Sequence, residues 1–462
     1  MLNAGVSRVD ISPKIGVAHA GWGAQTHQVS VGNDMPLLVT ALVVENHGVE
    51  LAIVDVDIGI FTNQQDRDIR GLISEKSDIP FGNIRLAYTH THSGPITFGQ
   101  WIKDGIDLAN EWWNTIPNAC AKAVVDAKAS MVPARSGFGR GSCNININRR
   151  PARENGELFT GRNWGGFVDH DVDVVSFDDA NGDPIATIVN YAMHPTIMGH
   201  ENEWVTPDFP GPMRSVVEHA VGGLCLFLQG ASGNQGPLDG FTGDLSVYRK
   251  AGSKLGAEAA RVRLNIDPFE REERLEKILT SGADLGIYTD VPKSEPDDTV
   301  AVSNVPVELP AREVLSLAEA ESIFAVRESE LADTRSSGAS EEDVRAAVSK
   351  VMRANIQLSV ARLSEANTKD GHIEITAQSM RIGETVLVSI PVEPFAELAD
   401  SVKKRSGIKN TVFSGFSNGH INYLATDQAF EEGGYEVGVS VFAPGSAELT
   451  IDASLEAIDN II

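Results

Sequence analysis

Ile84-Arg85-Leu86-Ala87-Tyr88-Thr89-His90-Thr91-His92-Ser93-Gly94-Pro95 decides the fold class. Its first half is a short apolar run, released by Pro80 and Gly82, and reads as a buried strand. Upstream, Leu37 to Asn46 and Val49 to Ile60 are rich in Val, Leu and Ile and read as adjacent strands. Between these and the quoted run, Thr62-Asn63-Gln64-Gln65 is a capping box, because Thr62 and Gln65 can each satisfy a free backbone N–H at a helix start. The helix it opens ends near Ser77. Strand, helix and strand form a βαβ unit, which joins parallel strands.

Further along, a helical stretch from Ile106 to Ala129 is interrupted at Pro117, where the ring removes a donor and clashes with the preceding turn. Asp171 to Phe177 and Ile185 to Met193 flank Asp179-Ala180-Asn181-Gly182, a hairpin signal, since Asn-Gly tolerates positive φ. Leu224 to Gln229 is a strand, apolar up to Gln229, that runs into the glycine-rich loop Gly230 to Pro237. Residues 267–310 read as polar and irregular, followed by two helical patterns, Arg312 to Leu331 and Glu341 to Ala366, the second capped by Ser340 and Asp343. Strands His372 to Met380 and Thr385 to Pro391, around Gly383-Glu384, close the sheet. The expected fold is α/β: a mixed, largely parallel sheet layered with helices, plus a helical hairpin insertion. Residues 1–462 form one domain in this reading, with 267–370 as the mostly helical insertion.

With 462 residues, 42% of them hydrophobic, the chain can bury a large core and a water-excluding site. Lys and Arg total 38 against 64 Asp and Glu, a net charge of -26. Such a surface repels phosphate backbones and anionic headgroups, so neither nucleic acid nor stable membrane association is expected. The three cysteines, Cys120, Cys143 and Cys225, are too scattered for a disulfide framework or a thiolate zinc site. No segment reaches membrane-spanning length, and the N-terminus lacks a basic region followed by an apolar one, so a cytoplasmic location is the expectation.

His90 and His92, two apart on a strand, project from one face and can reach one point. They stand at the carboxyl end of a parallel strand, where open α/β sheets hold their ligands. His194, before Pro195, also ends a β-run. Taken singly, each of these histidines is more often structural than a ligand. Glu393 alone reads as a helix cap and Tyr423 as a core aromatic. The Gly230 to Pro237 loop can offer backbone N–H groups to an oxyanion but lacks the Lys-Ser/Thr ending of a P-loop.

In order along the chain, Thr89 to Pro95, Asn146-Ile147-Asn148-Arg149-Arg150, Val189 to Thr196, Phe227 to Pro237, Val392-Glu393-Pro394-Phe395 and Ser417-Asn418-Gly419-His420-Ile421-Asn422-Tyr423 resemble segments of the neutral/alkaline non-lysosomal ceramidase family. The resemblance implies the catalytic domain of an amide hydrolase with Zn²⁺ held by His90, His194, Glu393 and Tyr423. Two imidazoles, a carboxylate and a phenolate suit that ion, which would itself drive the phenol to ionise. The family likeness further implies that His92 binds an oxyanion or moves a proton and that Arg149 holds a substrate carbonyl or carboxylate. Gly233, Asn234 and Gly236 are the expected substrate-binding loop residues, and Gly236 stands where the family has a serine that contacts the substrate amide. The family's secretion signal and C-terminal immunoglobulin-like domain are not expected here. A small soluble amide is therefore the expected substrate and partner, rather than ceramide. Asp55, Asp57 and Asp208 are candidates to orient the imidazoles. Ester or lactone opening at the same site, a non-catalytic metal-binding scaffold, and a two-metal phosphoryl centre are the competing readings, and self-association as a homo-oligomer stays open.

Overall fold

In the computed structural model, which describes residues 1–19, 22, 24–25, 27–96 and 102–462, helices layer two stacked sheets. The larger sheet has 8 strands. These are β1 (Leu2–Asp10), β2 (Leu38–Asn46), β3 (Val49–Val56), β4 (Ile84–Tyr88), β5 (Val132–Ser142), β6 (Asp171–Asp179), β7 (Pro184–Tyr191) and β8 (Leu224–Gln229), in the order β8-β7-β6-β5-β1-β2-β3-β4. His47 and Gly48, at φ 50° and 81°, close a two-residue hairpin between β2 and β3, and Asn181-Gly182 turns β6 into β7. Hairpins impose antiparallel pairing. Among the described residues the parallel pairs of this sheet are the outermost two, β3 with β4 through the expected helix α1 (Asn63–Ser77), and β7 with β8. The sheet is mixed and layered with helices as expected, but its balance is antiparallel; the βαβ unit legible in the sequence is an edge feature.

The Thr62–Gln65 capping box forms as read. Pro117 falls in the first turn of α3 (Ile116–Ala129), after α2 (Ile106–Trp113) has ended, so it starts a helix rather than kinking one. Strand alternation then assigns the faces. Ala41, Val43, Val54 and Leu86 pack under Ile69 and Ile73 of α1 and Cys120 and Val124 of α3. At the far end of the sheet, Val174, Val189 and Phe227 pack on α4 (Pro210–Val221) and α5 (Leu245–Arg263). Leu42, Val44, Ile53, Ile188 and Leu226 face the opposite way, onto Met380, Ile382, Leu387 and Val412 of the second sheet.

That second sheet runs β9 (Val300–Pro310), β10 (His372–Ile382), β11 (Thr385–Ser389) and β12 (Thr411–Ser414), with Thr368–Lys369 added beside β10. Residues 372–391 therefore stack on the first sheet instead of closing it. Residues 267–310 are not irregular: exposed strands Arg271–Leu279 and Leu285–Pro292 form a hairpin ahead of β9. Pro306 hid β9 in the sequence, and it is tolerated because β9 is an edge strand. The helical part of the insertion is α6 (Leu317–Ser336) and α7 (Glu341–Asn367), capped by Ser316 and Ser340. The outer face of the second sheet is covered by α8 (Ala396–Arg405) and the helix Ser446–Asp459, through Leu398, Val402, Ile451 and Ile458.

A curl of the large sheet positions the site. The backbone N–H of Phe227 on β8 donates to Asp55 Oδ2 on β3 at 2.8 Å, and Arg214 of α4 donates to Asp55 at 2.7 Å and Asp57 at 2.9 Å. These bonds bring β8 back against β3, so the carboxyl ends of β4 and β7 face each other. Among the described residues no helix is long and apolar enough to cross a membrane.

Candidate metal centre

His90 leaves the end of β4 at φ 63°, a left-handed conformation that costs a non-glycine residue on the order of 1 kcal/mol and clusters at functional positions. Its Nδ1 lies 2.7 Å from the Gly59 carbonyl, so the ring N–H is donated there and Nε2 keeps a bare lone pair. His194, beyond β7, holds the Ser232 carbonyl through Nδ1 at 3.3 Å in the same manner. The two Nε2 atoms stand 3.1 Å apart, and His92 Nε2 lies 3.3 Å from that of His90. Glu393 and Tyr423 arrive from beyond the second sheet, side by side in a short parallel pairing of Glu393–Pro394 with Tyr423–Leu424. Glu393 Oε2 is 3.7 Å from His90 Nε2 and 3.8 Å from His194 Nε2, and it is buried without a hydrogen-bond partner. Arg149 Nη2 donates to the Tyr423 hydroxyl at 3.0 Å.

Burial pushes His90 down to about 4 and takes His92 and His194 well below the usual histidine range, so all three rings are neutral at neutral pH. With both Nδ1 protons committed to carbonyls, the His90 and His194 lone pairs confront each other with no proton to share. A cation between them removes that repulsion and gives the orphaned Glu393 oxygen a partner. Burial raises Glu393 to about 7 and holds the Tyr423 phenol far above its ordinary range, with Arg149 pulling both back; a bound cation would act in the same sense as Arg149. The donor set therefore fits a metal ion. His90, His92 and His194 form a group able to hold one, their ligand atoms all within 4.8 Å of one another, and Glu393 and Tyr423 adjoin it. Among the described residues, ion-pair contacts from His90 and His194 go to Glu393, so the bridging carboxylates of a two-metal phosphoryl centre are not assembled here.

His90, His92, Glu393 and Tyr423 line one cavity of about 680 Å³. Arg149 lies behind Tyr423 and off the cavity wall, its Nε bound to Glu436 Oε1 at 2.9 Å. Gly233, Asn234 and Gly236 are also off the wall. A Cβ on Gly233 would stand 2.7 Å from the Glu393 carbonyl oxygen, and one on Gly236 would stand 3.1 Å from Arg149 Cβ. Asn234 donates to Glu397 at 2.7 Å and accepts from the Ala396 N–H at 2.9 Å. The loop thus backs Glu393, Arg149 and the start of α8. The carboxylates expected to orient imidazoles are engaged elsewhere: Asp55 and Asp57 by Arg214, and Asp208 by the N–H groups of Met198 and Phe209. Carbonyls of Gly59 and Ser232 orient the rings instead. Sequence reasoning missed His420, whose Nδ1 is 2.9 Å from the Tyr88 hydroxyl and whose Nε2 is 3.5 Å from Glu393 Oε1. Its place three residues before Tyr423 was the available signal. Glu436, which binds both Arg149 and Arg150, offered none.

Fold and site define a class: a layered α/β protein in which imidazoles at the carboxyl ends of strands, a carboxylate and a phenol converge on one metal-sized point. Residues 2–229 match the family model "Neutral/alkaline non-lysosomal ceramidase, N-terminal". The neutral ceramidase of Pseudomonas aeruginosa is 23% identical over 95% of this chain and 69% of its own length, and neutral ceramidase B of Dictyostelium discoideum is 34% identical over 30% of this chain and 20% of its own. The crystal structure of the Pseudomonas enzyme superposes with a TM-score of 0.66 at 20% identity, covering 100% of this chain and 75% of that one. A ceramidase complexed with C2 gives 0.67 at 19%, covering 100% and 76%. Residues 2–229 carry the N-terminal domain of the neutral/alkaline non-lysosomal ceramidase family.

Proposed function

We propose that this protein is a zinc-dependent hydrolase that cleaves the amide bond of a small soluble substrate. The observation that carries the proposal is the convergence of two bare imidazole lone pairs and an unpartnered carboxylate oxygen on one point that borders a cavity. Zinc held by His90, His194, Glu393 and Tyr423 would polarise the amide carbonyl and acidify water. Around it the chain's own groups have separate tasks. Gly59 and Ser232 lock the imidazole tautomers. Arg149 favours the ionised phenol at 3.0 Å. His92, backed by the Trp22 ring at 5.1 Å, faces the cavity as the group that moves a proton or steadies the oxyanion. In the reaction water oxygen joins the acyl carbon, the C–N bond breaks, and the amine leaves with a proton. The three cysteines, free and buried, support a cytoplasmic setting for this activity.

Elemental analysis of the purified protein should find close to one zinc per chain. Two ions per chain, or full activity after metal removal, would refute the mononuclear site. The proposed substrate is a small soluble amide, so long-chain ceramide should be turned over with kcat/KM about tenfold or more below that of short soluble amides. A preference for ceramide in the same assay would show that the substrate reading is wrong.

A further inference from the structure

The charges around the cavity indicate what kind of amide it takes. Although the chain has 64 acidic and 38 basic residues, the charged side chains on the cavity wall are Arg67, Arg362 and Glu393 among the described residues. Glu393 is committed to the metal centre. The remaining charge is two guanidiniums, one from α1 and one from α7. These helices touch where Asn63 donates to Asn367 at 2.6 Å; Arg67 stands about one turn along α1 from that contact and Arg362 about one and a half turns along α7. Arg67 donates to the neutral Gln64 at 2.8 Å and has no carboxylate in ion-pair reach among the described residues. Arg362 meets Glu321 only at 3.8 Å, with both side chains about half exposed, so little holds it. The rest of α7's contribution is apolar: Met352, Ile356, Val360 and Leu363 recur at helical spacing along one face, opposite Ile58, Ile60 and Trp113. A wall of this composition in a protein of net charge -26 accommodates an acyl chain and a single anion.

We infer that the substrate is an N-acyl amino acid: its acyl chain lies along the apolar face of α7, and its carboxylate is held by Arg67 and Arg362. The inference rests on the amide hydrolysis proposed above and narrows it to anionic amides. Hydrolysis then yields a fatty carboxylate and a free amino acid, water oxygen joining the acyl carbon as the C–N bond breaks.

The test separates binding from turnover. Calorimetry on the purified holoprotein would compare two non-cleavable sulfonamides, N-octylsulfonyl-glycine and N-octylsulfonyl-ethanolamine, which differ in the carboxylate. A charge-assisted contact should make the glycine compound bind about 10 to 100-fold tighter, and the difference should shrink as salt is raised. Arg67→Gln and Arg362→Gln should each lower that ratio, and the double variant should bring it near unity. Equal binding of the two compounds by the unaltered protein, or a ratio insensitive to both substitutions, would overturn the inference. Kinetics on N-octanoyl-glycine and N-octanoyl-ethanolamine then locates any failure. Turnover of both without preference removes this inference and leaves amide hydrolysis standing, whereas carboxylate-selective binding with no turnover of either amide supports the anion site and removes the hydrolase reading.

Discussion

His90→Ala should purify with little or no zinc, whereas His92→Ala should keep its metal and lose about 10² to 10⁴ in kcat, the usual worth of a proton-transfer or oxyanion group. The two rings are neighbours, 4.9 Å between centroids and nearly perpendicular, yet their surroundings differ. His90 is tied through Nδ1 to Gly59 and points Nε2 at His194 and Glu393; His92 packs on Trp22 and borders the cavity. Removing His90 deletes a ligand and also places at φ 63° an alanine, which unlike histidine and asparagine is not enriched in the left-handed region. His90→Asn controls for that, since asparagine tolerates this backbone, and it should lose zinc as the alanine variant does. Zinc content and kinetics must come from the same preparations. If His92→Ala loses zinc as completely as His90→Ala, both rings are ligands and Tyr423 leaves the ligand set. If neither variant changes metal or rate, the Thr89 to Pro95 segment is structural and the metal reading fails.

What could be read in the sequence follows from how local each signal is. The α1 capping box and the turn at Asn181-Gly182 depend on a few adjacent residues, and they form. His90 was marked by its place at the carboxyl end of a strand in a parallel pair, where a crevice opens, whereas His194 as a ligand was legible only through the family resemblance, although its strand too lies in a parallel pair. The sheet's antiparallel balance was not legible from one βαβ unit, and β9 was concealed by Pro306, which only an edge position explains. Asp55, Asp57 and Asp208 looked like imidazole partners because acids near strand ends can be; Arg214, more than 150 residues away in sequence, claims the first two, and the N–H groups of Met198 and Phe209 claim Asp208. Carbonyl orienters such as Gly59 and Ser232 carry no side-chain signature at all. Gly233 and Gly236 were marked by composition as an approach for substrate, but the close approach is to the protein's own Glu393 and Arg149. Glycine-rich sequence reports that something comes near and not what it is.

Arg214→Leu should cost about 3 to 5 kcal/mol of stability, the usual cost of removing one partner from a buried ion pair. Arg214, Asp55 and Asp57 are buried, and the guanidinium supplies both carboxylates. Without it two acids remain in the core, and Asp55 cannot turn outward while it accepts the Phe227 N–H at 2.8 Å. Asp57→Asn should be milder, because the amide oxygen can still accept the Leu38 N–H that Asp57 takes at 3.0 Å. Urea midpoints at constant m measure both changes. Lys14→Gln, which breaks an exposed pair with Glu111, should shift stability by about 0.5 kcal/mol or less and sets the baseline. The same clamp draws β8 back to β3 and so helps the end of β7 face the end of β4, where His194 and His90 meet. Zinc should therefore bind more weakly in Asp57→Asn and Arg214→Leu than in Lys14→Gln when a chelator competes for it, although none of the three substitutions touches a ligand. A loss of stability in Arg214→Leu no greater than that in Lys14→Gln would show that the buried pair does not hold the curl. A large loss in stability with zinc affinity intact in Asp57→Asn would show that the imidazoles are brought together by other contacts, and that the clamp serves the fold alone.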